Sequence, residues 1–422
     1  MFTQNFQEKS MKEFLQKAKQ SSRVVATLST AIKNKTLLEF ADALEENSCF
    51  IIEENIKDMK LAHELDLSSA MQDRLYLNDS RIQDMANAIR QIASQTEPVG
   101  RVLDGWLTKD NLNIQKVSIP IGVIAIIYES RPNVTSDTAA LCFKSGNVCV
   151  LKGGKEAENS NRAIAKIIQD VLEKNNLPKE IVSLLPDSSR EGVAKLIVED
   201  KYVDLIVPRG GEALIKFITQ NSSIPVIKHD KGVCHTFIDK DANATKSINI
   251  IVNAKCQRPS ACNSLETLLV HEEIASYILP GIQEELSAHG TILKGCPKTL
   301  GYIKIAPAKE EDFYIEYLEN ILNIKVVENL NEAIDHISKH GSGHSEAILS
   351  ENYTAINKFL NEVDAACVYA NASTRFTDGG EFGLGAEVGI STNKLHSRGP
   401  MGINDLTTFK YKIYGQGQVR TK

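Results

Sequence analysis

Features that mark membrane, secreted and nucleic-acid-binding proteins are missing from this sequence. No stretch reaches the ~18 consecutive apolar residues that a membrane-spanning helix needs, and residues 1–20 are polar and charged, without the apolar core of a signal peptide. The net charge is −6 with no long basic run, which argues against nucleic acid or an anionic membrane as the main partner. The eight cysteines form no CxxC pair and no zinc-finger spacing with histidine, so we expect reduced thiols, a cytoplasmic location and no metal site.

The composition is that of a globular protein. The chain has 422 residues, of which 42% are hydrophobic and 24% charged, and this length predicts two or three domains. Up to about residue 100, apolar side chains recur at steps of three and four, as at Val24, Leu28 and Ala31, which predicts helices. The pattern changes at Asp104–Trp106, and the short polar stretch Leu107–Ser118 predicts an exposed hairpin.

After this hairpin the sequence alternates between apolar runs and helical stretches. The continuous apolar run Val123–Tyr128 predicts a strand buried on both faces of a parallel sheet. Polar residues collect directly after it, at the end of a strand where ligands bind in such sheets. The order of strand, turn and helix is then repeated, which is the βαβ pattern of an α/β fold. The further predicted strands are 148–151, 182–185 and 203–207, and the predicted helices lie around 139–143, 160–174 and 212–220.

Two glycine pairs directly follow predicted strands. They lie in the segments Lys152–Lys155 (KGGK) and Pro208–Gly211 (PRGG). Such a turn lets the backbone approach a phosphate, and the amino end of the following helix contributes partial positive charge. Neither segment has the GxGxxG or P-loop spacing, so two ordinary tight turns are the alternative.

Cys262 is the residue best placed for chemistry. Pro259 cannot continue the helix that is predicted to end near Cys256, so Cys262 falls on a loop before the apolar run Leu268–Val270. A thiol on such a loop is accessible, and its thiolate form attacks carbonyl carbon. Lys255 and Arg258 lie nearby in sequence, where positive charge favours the thiolate, and the backbone N–H groups after Cys262 can face an oxyanion. A buried, inert cysteine is the alternative.

A second α/β unit is predicted to follow the segment Pro225–Gly232. The segment Asp378–Gly385 is too rich in glycine for the interior of an element, so it predicts a loop with close backbone approach. Thr407–Tyr414 alternates as a strand does and lacks an obvious hairpin mate, so we expect it to pair with another subunit. The other predicted elements of this unit are strands 235–239, 324–327 and 346–349 and helix 330–339.

Longer ordered motifs occupy Tyr128–Thr135, Leu151–Ala157, Val207–Gly211, Gln257–Pro259 with Cys262–Asn263 and Glu266–Val270, Phe376–Gly385 and Leu395–Gly402. Together they resemble the aldehyde dehydrogenase superfamily over essentially the whole chain, and most closely its glutamate-5-semialdehyde dehydrogenase family. The resemblance implies an α/β fold in three parts. These are a Rossmann-like cofactor domain (residues 1–106 and 122–232), an α/β catalytic domain carrying Cys262 (233–400) and a small β oligomerisation arm (107–121 and 401–422).

The resemblance also implies an activity, the NADPH-dependent reduction of L-glutamate 5-phosphate to L-glutamate 5-semialdehyde in proline biosynthesis. Cys262 matches the nucleophile that forms a thioester, and Asn263 and Ser130 complete the catalytic set. Lys152 matches a lysine that holds the adenosine ribose, and Glu316 roughly matches a glutamate that holds the nicotinamide ribose. The residues expected to bind NADPH are Lys152, Gly153, Lys155, Pro208, Arg209, Gly210, Gly211 and Glu316.

The substrate of such an enzyme carries a carboxylate and a phosphate, and a planar guanidinium binds either group with two hydrogen bonds. Arg131, Arg258 and Arg398 are the candidates because each lies in a matching segment, and Asn133 is a further donor. For each arginine a structural ion pair is the alternative. The implied partners are other copies of the chain, as a dimer or a larger homo-oligomer, and glutamate 5-kinase through a functional link. Another acylating aldehyde dehydrogenase, for example one that uses coenzyme A, and a catalytically inactive relative are the alternative functions.

The segment Ile227–Gly232 departs from the family pattern. Hydrolytic aldehyde dehydrogenases keep a glutamate about thirty residues before the nucleophile, where it activates water as a general base. Here the segment contains no glutamate, and Asp230 is its only carboxylate. We therefore expect slow hydrolysis of the thioester.

Overall fold

The computed structural model describes the backbone of residues 2–228 and 231–420, and the side chains from residue 11 onward except at position 70. The chain divides into two compact units. Unit 1 comprises residues 1–228, 383–389 and 401–422, and unit 2 comprises residues 229–382 and 390–400. Each unit contains a parallel sheet, which confirms the predicted α/β class.

Unit 1 opens with five helices, which confirms the prediction from the spacing of apolar side chains. Polar side chains cap several amino ends: the Ser29 side chain accepts a hydrogen bond from the Ile32 N–H, and the Asn78 side chain accepts one from the Arg81 N–H. None of the helices among the described residues is long and apolar enough to cross a membrane. The five are α1 (Phe2–Val25), α2 (Thr30–Glu46), α3 (Ser48–Glu64), α4 (Ser69–Leu75) and α5 (Asp79–Ser94).

A hairpin of β1 (Val102–Leu107) and β2 (Asn113–Pro120) follows these helices. A hairpin was predicted here, but over Leu107–Ser118, so its first strand begins earlier than the sequence suggested. The reason is that β1 is exposed at every position. It therefore lacks the alternation of apolar and polar residues by which a half-buried strand is recognised.

The parallel sheet of unit 1 has the strand order β5-β4-β3-β6. Its central strand β3 is buried at every position, as the continuous apolar run predicted. Because all four strands run in the same direction, their carboxyl ends meet at one edge, where polar side chains collect. The strands are β3 (Val123–Tyr128), β4 (Val148–Lys152), β5 (Val182–Leu184) and β6 (Leu205–Arg209), and the helices are α6 (Asn133–Lys144), α7 (Glu158–Lys174), α8 (Arg190–Leu196) and α9 (Glu212–Asn221).

The parallel sheet of unit 2 has the order β10-β9-β11-β8-β7-β12-β13. Its strands are β7 (Cys234–Ile238), β8 (Leu265–His271), β9 (Ile292–Gly295), β10 (Ala306–Pro307), β11 (Ile321–Val327), β12 (Ser345–Leu349) and β13 (Cys367–Ala370). Its helices are α10 (Ala244–Cys256), α11 (Glu272–Ala288), α12 (Pro297–Leu300), α13 (Leu330–His340) and α14 (Tyr353–Glu362). Leu268 and Val270 of β8 enter one buried cluster and Leu269 enters another, because alternate residues of a strand face opposite sides.

Three short or terminal strands complete the fold. β14 (Ile390–Ser391) pairs with β15 (Gly399–Pro400) in unit 2. β16 (Thr407–Tyr414) has the predicted bounds and pairs with β2 of its own chain. The two strands are antiparallel, with Thr407 opposite Pro120 and Tyr414 opposite Asn113. The strand thus has a mate within the chain, which the sequence did not reveal because the two strands lie far apart along it. Unit 1 therefore carries a second sheet of order β1-β2-β16.

Candidate active site

The candidate nucleophile lies on a loop of unit 2. α10 ends at Cys256 and β8 begins at Leu265, so Cys262 lies on the intervening loop, as predicted. Cys262 is half-buried. Cys256 occupies the last helical position, and its sulfur lies 3.4 Å from the hydroxyl oxygen of Thr291. Cys256 therefore belongs to the helix and Cys262 to the loop.

The backbone of Cys262 packs closely against the start of β7. The Cys234 thiol donates to the carbonyl oxygen of Cys262 at 3.3 Å. Burial raises the pKa of the Cys234 thiol, which keeps it protonated and able to donate. A Cβ atom at Gly232 would overlap the same carbonyl group, so only glycine fits there. These contacts fix the backbone from which the Cys262 side chain projects.

Asn263, the residue after the nucleophile, connects the loop to the short 3-10 helix Thr374–Phe376. Its side-chain amide donates to the carbonyl oxygens of Thr377 at 2.8 Å and Arg375 at 3.3 Å. Its own carbonyl oxygen accepts from the Thr374 hydroxyl at 2.7 Å. The Asn263 side chain, expected in the catalytic set, therefore holds the loop in place.

Arg375 was not predicted from the sequence, yet it contacts the nucleophile loop. Its Nε donates to the side-chain oxygen of Gln257 at 2.8 Å, and its Nη1 donates to Oδ1 of Asn263. The half-buried guanidinium therefore contacts the loop before and after Cys262. The available signal was its position directly before the matching segment Phe376–Gly385.

A buried ion pair joins the two ends of the same loop and was also not predicted. Lys255 Nζ lies 3.1 Å from Glu266 Oε2, and the two side chains are 0% and 1% exposed. Lys255 lies in the last turn of α10 and Glu266 near the start of β8. Burial raises the pKa of Glu266 to about 8 against the opposing charge of Lys255, and burial lowers the pKa of Lys255.

Glu316, expected to hold the nicotinamide ribose, is half-buried between the 3-10 helix Glu310–Tyr314 and β11. Beyond the effect of burial, its negative charge contributes to the raised pKa values of Glu266 and Cys234. Glu316 therefore lies near the nucleophile loop within unit 2. Its role stays a prediction.

In unit 1, polar side chains meet at the carboxyl ends of β3 and β4. Glu156 Oε1 accepts hydrogen bonds from the backbone N–H and from the hydroxyl of Ser130, each at 2.7 Å. Ser130 has a φ of +35°, which residues other than glycine rarely adopt, so these bonds hold a strained backbone. Ser130 was expected to act as a catalytic donor, and here its N–H and hydroxyl both bind Glu156.

Lys152, the expected ribose-binding lysine, ends β4 and is half-buried. Burial lowers its pKa, against the opposing charges of Glu156 and Glu129. Within the described parts of the chain its ammonium has no hydrogen-bond or ion-pair partner, so it can bind a ligand. Gly153 beside it has no room for a side chain, because a Cβ atom would overlap the Asn161 amide. Lys155 is exposed nearby.

The second glycine turn, Pro208–Gly211, leads from β6 into α9, as predicted. The Gly211 N–H donates to Glu129 Oε2 at 3.1 Å. The Arg209 guanidinium donates to the carbonyl oxygen of Glu387 at 3.3 Å and lies 3.6 Å from the Glu387 carboxylate. The Arg209 side chain thus binds segment 383–389, which belongs to unit 1. Of the groups in this turn, the backbone is therefore the one available to a cofactor.

The four predicted substrate-binding residues have different surroundings. In unit 2, Arg258 is exposed on the nucleophile loop, and Arg398 donates to Asp364 at 2.6 Å. In unit 1, Arg131 is half-buried after β3, and Asn133 is exposed at the start of α6. Arg398 thus forms an ion pair, which was the alternative reading for each arginine. His229 and Asp230, which belong to the segment expected to lack a general base, lie outside the described residues.

Comparison with known proteins identifies the family of the chain. A model of the aldehyde dehydrogenase family matches residues 2–292. A curated relative, gamma-glutamyl phosphate reductase of Aliarcobacter butzleri, is 75% identical over 97% of this chain and 100% of its own length. The chain belongs to the aldehyde dehydrogenase family and, within it, to the gamma-glutamyl phosphate reductases.

Solved structures give the same result for the fold. Gamma-glutamyl phosphate reductase of Thermotoga maritima is 45% identical, covers 97% of this chain and 100% of its own, and superposes with a TM-score of 0.94. Glyceraldehyde-3-phosphate dehydrogenase of Methanocaldococcus jannaschii, solved in complex with NADP, is 17% identical, with a TM-score of 0.71 over 97% of this chain and 95% of its own. The predicted aldehyde dehydrogenase fold is therefore confirmed.

Proposed function

We propose that the chain reduces L-glutamate 5-phosphate to L-glutamate 5-semialdehyde, with release of phosphate, as a step of proline biosynthesis. The observation that carries the proposal is the 75% identity to a gamma-glutamyl phosphate reductase over the full length of that relative. Cys262, on its loop before β8, is the nucleophile. Its thiolate attacks the acyl carbon, the bond from that carbon to the phosphate oxygen breaks, and a thioester remains on Cys262.

NADPH is the proposed cofactor and, when bound, supplies the hydride that reduces the acyl carbon. The free ammonium of Lys152 suits ribose hydroxyls, and the crowded Gly153 brings backbone close to the ligand. The backbone of Pro208–Gly211 and the carboxylate of Glu316 are the other proposed binding groups. After reduction, the bond between the carbon and the Cys262 sulfur breaks, the aldehyde leaves, and the thiolate is restored.

The assay that tests this function runs the reaction backwards, with glutamate semialdehyde and NADP in the presence and absence of inorganic phosphate. NADPH formation should depend on phosphate, because loss of a positioned general base removes about 10²–10⁴-fold of a hydrolytic rate. Equal rates without phosphate, with glutamate as the product, would contradict the proposal. Dependence on coenzyme A instead of phosphate would favour the acylating alternative.

Lys155 is proposed to favour NADP(H) over NAD(H). It is exposed three positions after Lys152, where its ammonium attracts the 2′-phosphate that distinguishes NADP. An exposed charge pair contributes ~0.2–1 kcal/mol, so Lys155→Glu should lower the NADP preference by up to about fivefold, or more if the carboxylate repels the phosphate. The measurement is the ratio of kcat/KM for the two cofactors. The control is Lys174→Glu, which makes the same change of charge at an exposed position of α7 and should leave this ratio unchanged. An unchanged ratio in Lys155→Glu would contradict the proposed role of Lys155.

We also propose that the β1-β2-β16 sheet forms the interface of a homo-oligomer. Trp106 and Tyr411 are 43% and 51% exposed, and their rings pack edge to face at 6.1 Å. Exposed apolar patches of this kind mark interaction surfaces. Light scattering should give a mass of at least twice the 46.5 kDa of the chain. A monomer at micromolar concentration would contradict the proposed interface. A functional link to glutamate 5-kinase, which would supply the acyl phosphate, completes the proposal.

A further inference from the structure

We propose that Arg375 and Arg258 together hold the phosphoryl group of the acyl phosphate beside Cys262. The inference rests on the proposed function, which supplies the substrate, and it adds Arg375 to the residues expected to bind that substrate. All three residues belong to unit 2.

The position of Arg375 is fixed by its neighbours. The 3-10 helix Thr374–Phe376 is fastened to Asn263 by the Thr374 hydroxyl and by the Asn263 amide. The Arg375 Nε and Nη1 atoms bind Gln257 and Asn263, on either side of the nucleophile in sequence. Its Nη2 has no described partner, so it is available to a ligand at the loop. Arg258 follows Gln257 directly and is exposed.

No carboxylate is bound directly to this pair among the described residues. Neither Arg375 nor Arg258 forms an ion pair with a carboxylate among the residues described, whereas Arg398, the third arginine of unit 2, is bound to Asp364. Burial lowers the pKa of Arg375, the positive charge of Arg258 lowers it further, and negative charge on Cys262 and Asp378 opposes both. Two guanidinium groups that repel each other, one of them half-buried, are stabilised by an anion, and a phosphate accepts hydrogen bonds from both.

The chemistry of the substrate selects the phosphoryl group over the carboxylate. The phosphate is joined directly to the carbon that Cys262 attacks, while the α-carboxylate is separated from it by the remaining carbon chain. A cation held against the loop on both sides of Cys262 is therefore suited to the leaving group. As the bond from carbon to oxygen breaks, the electron pair moves onto the phosphate, and the fixed guanidinium groups stabilise that charge.

The test uses the full chain in the oxidising direction, where phosphate attacks the thioester carbon and the electron pair of the breaking carbon–sulfur bond returns to Cys262. Arg375→Gln should raise the phosphate concentration for half-maximal rate by about 10- to 100-fold, which corresponds to the loss of one hydrogen bond to a charged group. Arg375→Lys should restore part of the loss, because it keeps the charge without the planar fork. The first burst of NADPH, formed before phosphate reacts, should keep its amplitude and its dependence on semialdehyde.

Hydroxylamine provides the control that separates phosphate binding from a structural role, because this neutral acyl acceptor needs no anion site. Its rate with Arg375→Gln should match that of the unsubstituted chain. Arg162→Gln, which changes an exposed arginine paired with Glu158 in unit 1, should alter neither rate. If Arg375→Gln fails to fold, Arg258→Gln at the exposed position should still raise the half-maximal phosphate concentration.

Three results would overturn the inference. An unchanged phosphate dependence in Arg375→Gln and Arg258→Gln would show that the two arginines do not bind phosphate. A raised KM for semialdehyde with unchanged phosphate dependence would assign the arginines to the α-carboxylate. A chain without substitutions that shows no phosphate-dependent NADPH formation would overturn the proposed function as well, so the two failures are distinguishable.

Discussion

Cys262→Ala is expected to abolish turnover, lowering kcat by at least about 10⁴-fold, because the loop then has no thiol that can form the thioester. The binding of NADPH, followed by its fluorescence, should persist, since the proposed cofactor residues are unaltered. Steady-state rates in both directions give kcat, and a fluorescence titration measures the binding of NADPH.

Cys256→Ala is the matched control. Cys256 ends α10 and contacts Thr291, so its loss should leave most of the activity. Substantial turnover in Cys262→Ala would refute the assignment. Complete loss of turnover in a folded Cys256→Ala protein would do the same.

Glu266→Met is expected to lower the free energy of unfolding by about 3–5 kcal/mol at pH 7, because it removes the carboxyl oxygen to which the buried Lys255 ammonium donates. Urea denaturation followed by circular dichroism measures the change. The double variant Glu266→Met with Lys255→Met should recover most of the loss, since it removes the buried ammonium together with the carboxyl group that binds it. A single variant as stable as the unsubstituted chain would mean that water reaches Lys255.

The pH dependence of this effect has a definite sign. Burial depresses the pKa of Lys255, and removing the Glu266 charge depresses it further. A base with a lowered pKa binds its proton less tightly in the folded chain than in the unfolded chain, so it destabilises below its folded pKa. The deficit of Glu266→Met should therefore be largest at acidic pH and shrink as the pH rises towards the ordinary lysine pKa of 10.5. In the unsubstituted chain Glu266, with its pKa raised to about 8, contributes stability that is lost between about pH 4.5 and 8.

The regular elements were predictable because local pattern determines them. The apolar run Val123–Tyr128 became the central strand β3, and β16 kept its predicted bounds of Thr407–Tyr414. The break at Pro259 placed Cys262 beyond the helix. Each of these inferences uses side chains that are close together along the chain.

The contacts around the site were less predictable because their partners are distant in sequence. Nothing near Asn263 indicates that Arg375 will bind its side chain, and nothing near Ser130 indicates that Glu156 will accept both of its hydrogen bonds. The family motifs identify segments of the sequence, but they do not show which side chains contact each other. They therefore included Arg398, whose guanidinium binds Asp364, and stopped just short of Arg375.

The pairing of β16 with β2 has a consequence for the order of folding. Residues near position 410 meet residues near 117, so the pair closes a loop that contains most of the chain. Closing such a loop is entropically costly until the intervening segments have collapsed, and contacts of this kind form late. Until then β2 keeps one unpaired edge, and the exposed apolar residues of β1 lie along its other edge. A nascent or heated chain is therefore most prone to aggregate through this sheet, before its last strand is in place.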